Sequence, residues 1–512
     1  MLKLTEGEVE AGLDAIKHHG YSDFFPTPPE FDVVVNSWPG FKKYLADLDL
    51  DEYKAYRPSL ELSAPKSVIN LRRVTLLHPL DLIIFTSIVR ILRDDIEAAR
   101  IDENESRVFS FRAKGAGTKA LYKGHPSHPE FAEEVLKRAK KNGKGWMVLA
   151  DIADFYYRLY QHRVRNAVEA TVTAPRKVKL AGALEKLLRR FSADNVSFGI
   201  PIGPAASRPL AEAAIIDVDN ALLSHSVDFI RYIDDYVIFT ESKEGADWAV
   251  RQLGEILYSN HGLTLQTAKT TVCECSSYVA RRDSVRDDET EVEKRFDAIV
   301  EEHFYDIDSM DELTPEQLET IEAVNFTEVL EEALDEDQIN YKKVTFILEK
   351  LSALENDGLI DIVLGNLERL YPVAHAVNAF FREFEHLQTK QKKKIADSLL
   401  KPILPNQRYR APEYYAIWIL DLFAHHAAWN HASQLLHIFR DTQSQTIKRY
   451  AALAIGNCGS RSEALVFKEH IAAATPLTRT AILIGSAKLA RDERTHWRKS
   501  LTLSDPLEKA IP

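Results

Sequence analysis

Cysteine is nearly absent from this 512-residue sequence, which holds only Cys273, Cys275 and Cys458. So sparse and odd a set excludes a disulfide framework and paired Cys-x-x-Cys zinc knuckles, and leaves reduced structural thiols. Also missing is any run approaching the ~18 uncharged apolar residues of a membrane span. The opening Met-Leu-Lys-Leu-Thr-Glu-Gly-Glu-Val-Glu has no apolar signal core, so a cytoplasmic location and no membrane partner are expected. Glycine is scarce late in the chain: 15 of 20 lie in residues 1–289 and only 5 beyond, so turns belong mainly to the first part. Excess positive charge is lacking too, and the net charge of −12 taken alone argues against a nucleic-acid partner. That average conceals a concentration of acid. Residues 283–338 hold 22 acidic and 3 basic residues, so the rest of the chain is net positive by 7. Between Arg107 and Lys144 ten Lys/Arg face three Glu, a stretch that can hold phosphates, although a solvated face is the commoner meaning of such a run.

What is present is a globular composition, 45% hydrophobic and 28% charged, too apolar for a chain that stays disordered. Its length is about three times the ~150 residues of a typical domain, which implies two or three domains. Residues 1–60, with the Pro-rich loop Phe25-Pro26-Thr27-Pro28-Pro29, read as an N-terminal extension. Residues 61–282 mix helical patterns such as Leu80 to Arg100 with the β-rich runs Trp146 to Leu149 and Tyr236 to Thr240, which predicts an α+β domain. Residues 283–338 read as an acidic connecting segment. Residues 339–512 are helical almost throughout, over Tyr341 to Glu355, Glu413 to His425, Gln445 to Gly456 and Leu477 to Leu489. Their alanine-rich packing positions suit a solenoid-like helical repeat.

The feature that carries chemistry is Asp228-Phe229-Ile230-Arg231-Tyr232-Ile233-Asp234-Asp235-Tyr236-Val237-Ile238-Phe239. Two apolar β runs flank adjacent acids where a hairpin tip would normally recruit Asn-Gly, a placement that calls for a cation. A second acid, Asp151, ends the run Trp146 to Ala150, and Asp154-Phe155-Tyr156 follows. Carboxylates from separate strands, meeting a phosphate substrate, can hold two hard divalent ions and support phosphoryl transfer. Between them Gly199-Ile200-Pro201-Ile202-Gly203-Pro204 leads through Ser207 into a helix, a turn that lets backbone approach a ligand. Read alone, it serves equally as a structural turn. His425, His426 and His431 have no partner at metal-ligand spacing.

Taken in order, Asp151-x-x-Asp154-Phe155-Tyr156, Phe198-Gly199 to Gly203-Pro204 with Ser207, and Tyr232-Ile233-Asp234-Asp235 resemble motifs A, B and C of reverse transcriptases. His261 to Leu265 followed by Lys269 resembles motif D, and Arg72-Arg73 and Phe109 to Arg112 resemble fingers segments. The resemblance covers roughly residues 61–280. It implies a palm-and-fingers DNA polymerase taking dNTPs with Mg2+, or Mn2+ in its place. Asp151 and Asp234 would be metal ligands together with Ile152 and the auxiliary acid Asp235, and Lys269 would protonate the leaving pyrophosphate. Arg72, Arg73, Arg112, Phe155, Tyr156, Phe198, Gly199 and Gly203 would contact the nucleotide, with Tyr156 excluding a ribose 2′-hydroxyl. The bland alternatives are a solvated Lys269 and surface ion pairs for Arg73 and Arg112. Phe198 stands where many templated enzymes carry Gln. The form Gly-x-Pro-x-Gly-Pro-x-x-Ser-Arg-x-Leu-Ala-Glu, with a helical C-terminal half, resembles bacterial abortive-infection (Abi) reverse transcriptases, especially their prophage-encoded branch. That resemblance implies an all-α HEAT-like repeat domain, homo-oligomers, phage defence, and untemplated DNA synthesis on a tyrosine that leaves single-stranded DNA covalently attached. Tyr21, beside the Pro-rich loop, is the candidate priming residue; its bland alternative is an aromatic beside a turn. A templated RNA-directed DNA polymerase and a non-catalytic nucleotide-sensing scaffold are the rival readings.

Overall fold

The computed structural model describes the chain except for residues 53–56, 58, 68–69, 114, 116–117, 124–127, 193–195, 285–290, 304–312 and 336–338. Its strands are β1 (Leu60–Pro65), β2 (Leu71–Leu76), β3 (Trp146–Asp151), β4 (Asp228–Tyr232), β5 (Asp235–Thr240) and β6 (Thr271–Glu274). The contacts divide the chain into two compact units. One is Met1–Tyr21, Lys42–Ser59 and Leu80–Asp306; the other is Ser22–Phe41, Leu60–Pro79 and Ile307–Pro512. The backbone therefore changes unit five times.

The first unit is built on an antiparallel sheet in the order β4-β5-β3-β6. Side chains alternate faces along each strand. Ile230, Tyr232, Val237 and Phe239 meet Phe131, Val135 and Ala139 of helix His128–Asn142 on one face. Phe229, Arg231 and Tyr236 are buried on the other, where helices Ser207–Ala214 and Ile216–Ser224 bring Glu212 and Asp219 against Arg231. Cover on both faces explains why these strands read as almost continuous apolar runs. Helix Pro79–Ala99 is buried at most positions from Leu80 to Ile96 and serves as a core helix. Helix Lys243–His261 opens on the Ser242 hydroxyl, which accepts from the Gly245 N–H, and closes at Gly262 with φ 66°. That left-handed cap turns the chain back toward the end of β3, where Leu265 bridges Ile152.

In the second unit β1 and β2 form an antiparallel hairpin, and β1 packs on helix Glu413–His425. That helix in turn packs on Ala374–Arg382 and Gln445–Cys458, and the latter on Pro476–Gly485. Helices Gln445–Cys458 and Pro476–Gly485 cross so closely that a Cβ on Gly456 would lie 2.5 Å from the Gly485 Cα. Ala451, Ala452, Ala454 and Ala481 are all buried, so the small residues do permit close approach. Helix Pro29–Asn36 joins this unit by packing on Pro476–Gly485 and Pro506–Ala510. Its Glu30 is fully buried and meets Arg449 through both carboxylate oxygens, at 2.6 and 2.7 Å. Burial pushes the Glu30 carboxyl up, but Arg449 outweighs it and holds the group below its ordinary value.

The structure departs from the linear domain order expected from the sequence. Residues 22–41 and 60–79 belong with the C-terminal helices because their apolar side chains enter that unit's core. The expected helix over Tyr341 to Glu355 is broken into Tyr341–Thr345, a widened π turn at Phe346–Lys350 and a 3₁₀ turn at Ser352–Leu354, ending at Glu355 with φ 47°. Of the acidic connecting segment, Glu291–His303, Pro315–Glu322 and Phe326–Asp335 are helical, while 285–290, 304–312 and 336–338 lie outside the described residues. Among the described residues no helix is long and apolar enough to cross a membrane.

Candidate active site

Asp151 ends β3 and Asp235 begins β5, and the two are register partners across the central strand pair. Tyr232 pairs with Asp235 in the β4–β5 hairpin, so Ile233 and Asp234 alone make the turn. The Ile152 N–H donates to the Asp234 carbonyl at 3.1 Å, tying the tip to the end of β3. From the other side the Gln266 N–H donates to the Asp151 carbonyl at 2.7 Å, and Lys269 Nζ reaches Asp151 Oδ2 at 3.1 Å. Asp151, Ile152, Asp234, Asp235 and Lys269 are thus brought together from three chain segments.

Burial, with the charges of Asp234 and Asp151 added and Lys269 opposing, pushes the Asp235 carboxyl up to about 7. Like charges crowded in this way are a place where a cation is favoured. Among the described residues no group of three or more His, Cys, Asp or Glu side chains forms a metal cage. An open set of hard carboxylate oxygens still suits Mg2+, which keeps waters and takes substrate phosphates as further ligands.

Phe155 is buried and Tyr156 partly so, their rings edge to face at 5.6 Å. Burial raises the Tyr156 phenol well above its ordinary value; Arg208 opposes this, while Glu212 and Asp234 add to it. Tyr156 therefore stays protonated within the field of Asp234. The glycine loop is attached alongside: the Ile200 N–H donates to the Tyr156 carbonyl at 3.1 Å and the Gly199 N–H to the Leu159 carbonyl at 2.8 Å. Gly199 at φ 92° and Gly203 at φ 128° adopt backbone that side chains disfavour, and a Cβ on Gly199 would press on the Tyr157 carbonyl at 3.3 Å. Phe198 stands edge to face against Tyr157 at 5.5 Å.

Other expected site residues are placed differently. Arg112 is buried, paired with Glu97 at 2.6 Å and donating to the Ile101 carbonyl at 3.0 Å, so its guanidinium serves a structural ion pair instead of an open nucleotide contact. Arg72 and Arg73 lie on β2 in the second unit; Arg73 pairs with Glu61, and Arg72 stands over the Phe24 ring at 5.3 Å. Tyr21 is buried at 4% exposure, so a priming role would require its phenol to leave that seat.

A support beneath the hairpin was not read from the sequence. Ile233, a β-branched residue, sits at φ 55°, a strained backbone for its type. Its N–H donates to Ser110 Oγ at 3.0 Å and its carbonyl accepts from Arg231 Nη1 at 2.9 Å. Fully buried Arg231 also pairs with Glu212 at 3.0 Å and Asp219 at 2.7 Å, and Ser110 donates to Glu212 at 2.6 Å. Arg100 completes the network through Glu212 at 2.7 Å. The available signal was Arg231 itself, a charge on the inward alternation of a strand otherwise apolar.

An antiparallel sheet with acids at the ends of adjacent central strands, next to a basic side chain and a glycine loop, is an arrangement of a kind that can serve phosphoryl transfer. Residues 82–303 match the family model described as reverse transcriptase (RNA-dependent DNA polymerase), and that span lies within the sheet-bearing unit. This part of the chain is accordingly similar to reverse transcriptases, and the match supports a polymerase of that family. Among solved structures, a telomerase from Candida albicans, in complex with a TWJ fragment of telomeric RNA, aligns at 11% identity and a TM-score of 0.28. The alignment covers 76% of this chain and 56% of that one, so the chain spans little more than half of that relative's length. No curated protein matches the chain.

Proposed function

We propose that the chain is a DNA polymerase of the reverse-transcriptase type that joins deoxynucleotides without a template, starts on a hydroxyl of its own, and acts in bacterial abortive-infection defence against phage. The observation that carries nucleotidyl transfer is the pairing of Asp151 with Asp235 across β3 and β5, with Asp234 in the adjoining turn and Lys269 on Asp151. Asp151 and Asp234, with Ile152 and Asp235 beside them, would hold Mg2+ or Mn2+. Such ions, when bound, activate an attacking hydroxyl and neutralise charge on the transferred phosphate. Lys269, which pairs with Asp151, would on this reading pass a proton to departing pyrophosphate. Tyr156 would supply a neutral aromatic wall against a 2′-hydroxyl, and Phe198 and the Gly199 backbone would contact the same nucleotide.

The defence role, protein priming and a single-stranded DNA product rest on the motif forms of the sequence. Helices stacked neighbour on neighbour in the second unit support a HEAT-like repeat, and homo-oligomers belong to the same reading. A templated reading is favoured by the matched family's description. One experiment separates the two: incubate the purified protein with labelled dNTPs and Mg2+, with and without template, then run a denaturing gel. Label migrating with the protein in the absence of template is expected. Label appearing only when template is added would overturn untemplated priming in favour of the templated reading. In the same assay Tyr156→Ala should raise the ratio of rNTP to dNTP use.

A further inference from the structure

The helix Arg491–Lys499 sits outside every element used so far. Arg491, Arg494, Thr495 and Arg498 follow helical spacing and share one face, with Lys499 adjoining. They line a cavity of about 550 Å³ together with Leu503 and Pro512. That is within the range of pockets that hold small ligands.

The charged side chains that line this cavity are all basic. None of its four cations meets an acidic side chain among the described residues. Glu493, on the same helix, is taken by Arg461 at 2.8 Å and Lys468 at 2.6 Å, and Oε1 of the nearby Glu508 by Arg479 at 2.6 Å, while Glu508 Oε2 makes no hydrogen bond and its charge acts on Arg498 from a distance. Arg498 donates through Nη2 to the Glu508 carbonyl at 3.0 Å, which fixes its guanidinium. Its Nη1 is buried with no partner. A buried, unpartnered guanidinium N–H carries a desolvation cost, and like charges three and four residues apart repel along a helix. Burial, with Arg494 adding and the Glu508 charge opposing, lowers the Arg498 pKa. Four cations and a hydroxyl around one cavity are the recognition chemistry of phosphate oxyanions, which accept several such hydrogen bonds at once.

We propose that this cavity is a phosphate-binding site, distinct from the carboxylate site, that takes either consecutive phosphodiesters of a single strand or the phosphates of a free nucleotide. It stands on its own residues and does not depend on the polymerase reading.

The test uses the full chain carrying Arg491→Gln and Arg494→Gln together, which leaves the Arg498 anchor in place. The probes are a labelled single-stranded oligodeoxynucleotide and, separately, ATP without added metal, titrated over a range of salt. Loss of two strand contacts should flatten the log–log salt dependence of oligonucleotide binding by roughly 1.4, at ~0.7 per charge on a single strand. Weakened strand binding with ATP binding unchanged identifies phosphodiesters; weakened ATP binding identifies a free nucleotide. If both probes bind the folded variant as they bind the parent, the proposal is overturned. Should the double variant melt early, Lys499→Gln at the exposed rim replaces it, with a slope change of about 0.7 expected and no change disproving the site. Incorporation of dNTPs is measured in parallel, so loss of the carboxylate-site reading would show separately from loss of this one.

Discussion

Asp151 and Asp235 face each other on neighbouring strands, and Asp234 adds a third carboxyl group at the turn. Replacing Asp151 or Asp234 with Asn keeps the side-chain volume and removes one charge. Each variant should lose nucleotide incorporation on the order of a hundredfold or more, because charge stabilisation of several kcal/mol disappears. Neither should unfold, since relieving like-charge crowding does not weaken the sheet; full activity in either variant would remove the basis for the site. These acids were legible in the sequence because apolar β runs flank them, whereas Asp94-Asp95 has no such setting. Arg231 was not. Its counter-ions Glu212 and Asp219 lie 19 and 12 residues earlier on two helices, and nothing local to Arg231 reveals them. Arg112 misled for the converse reason: a basic residue near fingers-like motifs looks available until Glu97, a full loop away, is seen to hold it.

The element that aims the acids is the β4–β5 hairpin, whose tight turn depends on support from outside itself. Ser110→Ala would leave the Ile233 N–H without its acceptor and deprive Glu212 of a donor. A loss of about 1–3 kcal/mol in stability follows from those unmet groups. Incorporation should fall as well, because the turn that carries Asp234 is loosened. Denaturant melts and single-nucleotide incorporation measure the two effects; a variant equal to the parent in both would show that the strained turn holds itself. Strands and long helices were largely legible, as with Glu413–His425, where a proline precedes an apolar stretch. The break after Tyr341–Thr345 was not, because Phe346, Ile347 and Leu348 are all buried and an apolar stretch filling every side hides a change of helical pitch. Nor could the allegiance of β1 and β2 be read, since alternation shows that a strand has an inner face but not which core receives it.

For the whole molecule, the governing fact is that the two units share one interleaved chain. Deleting residues 340–512 would strip Phe25, Val34, Leu62 and Val74 of their core, so an insoluble or inactive fragment is expected. A soluble, fully active fragment would contradict this. The Glu30–Arg449 pair gives a sharper measure. Glu30 ionises more readily in the folded protein than its ordinary value of 4.5, so its stabilisation is complete above that pH and is lost as pH falls through the lower folded value. Glu30→Gln leaves Arg449 buried without its counter-charge and should destabilise by about 3–5 kcal/mol at pH 7. The gap between parent and variant should close as pH drops below 4.5. Melts giving the same gap at pH 7 and in acid would exclude an ionic origin. The interleaving also orders events during translation. Glu30 leaves the ribosome 419 residues ahead of Arg449. At roughly 5–20 residues per second that is a wait on the order of 20–80 s. Through that interval Phe25, Phe31 and Val34 have no finished core to enter, so the burial of this N-terminal stretch waits on the C-terminal helices it packs against.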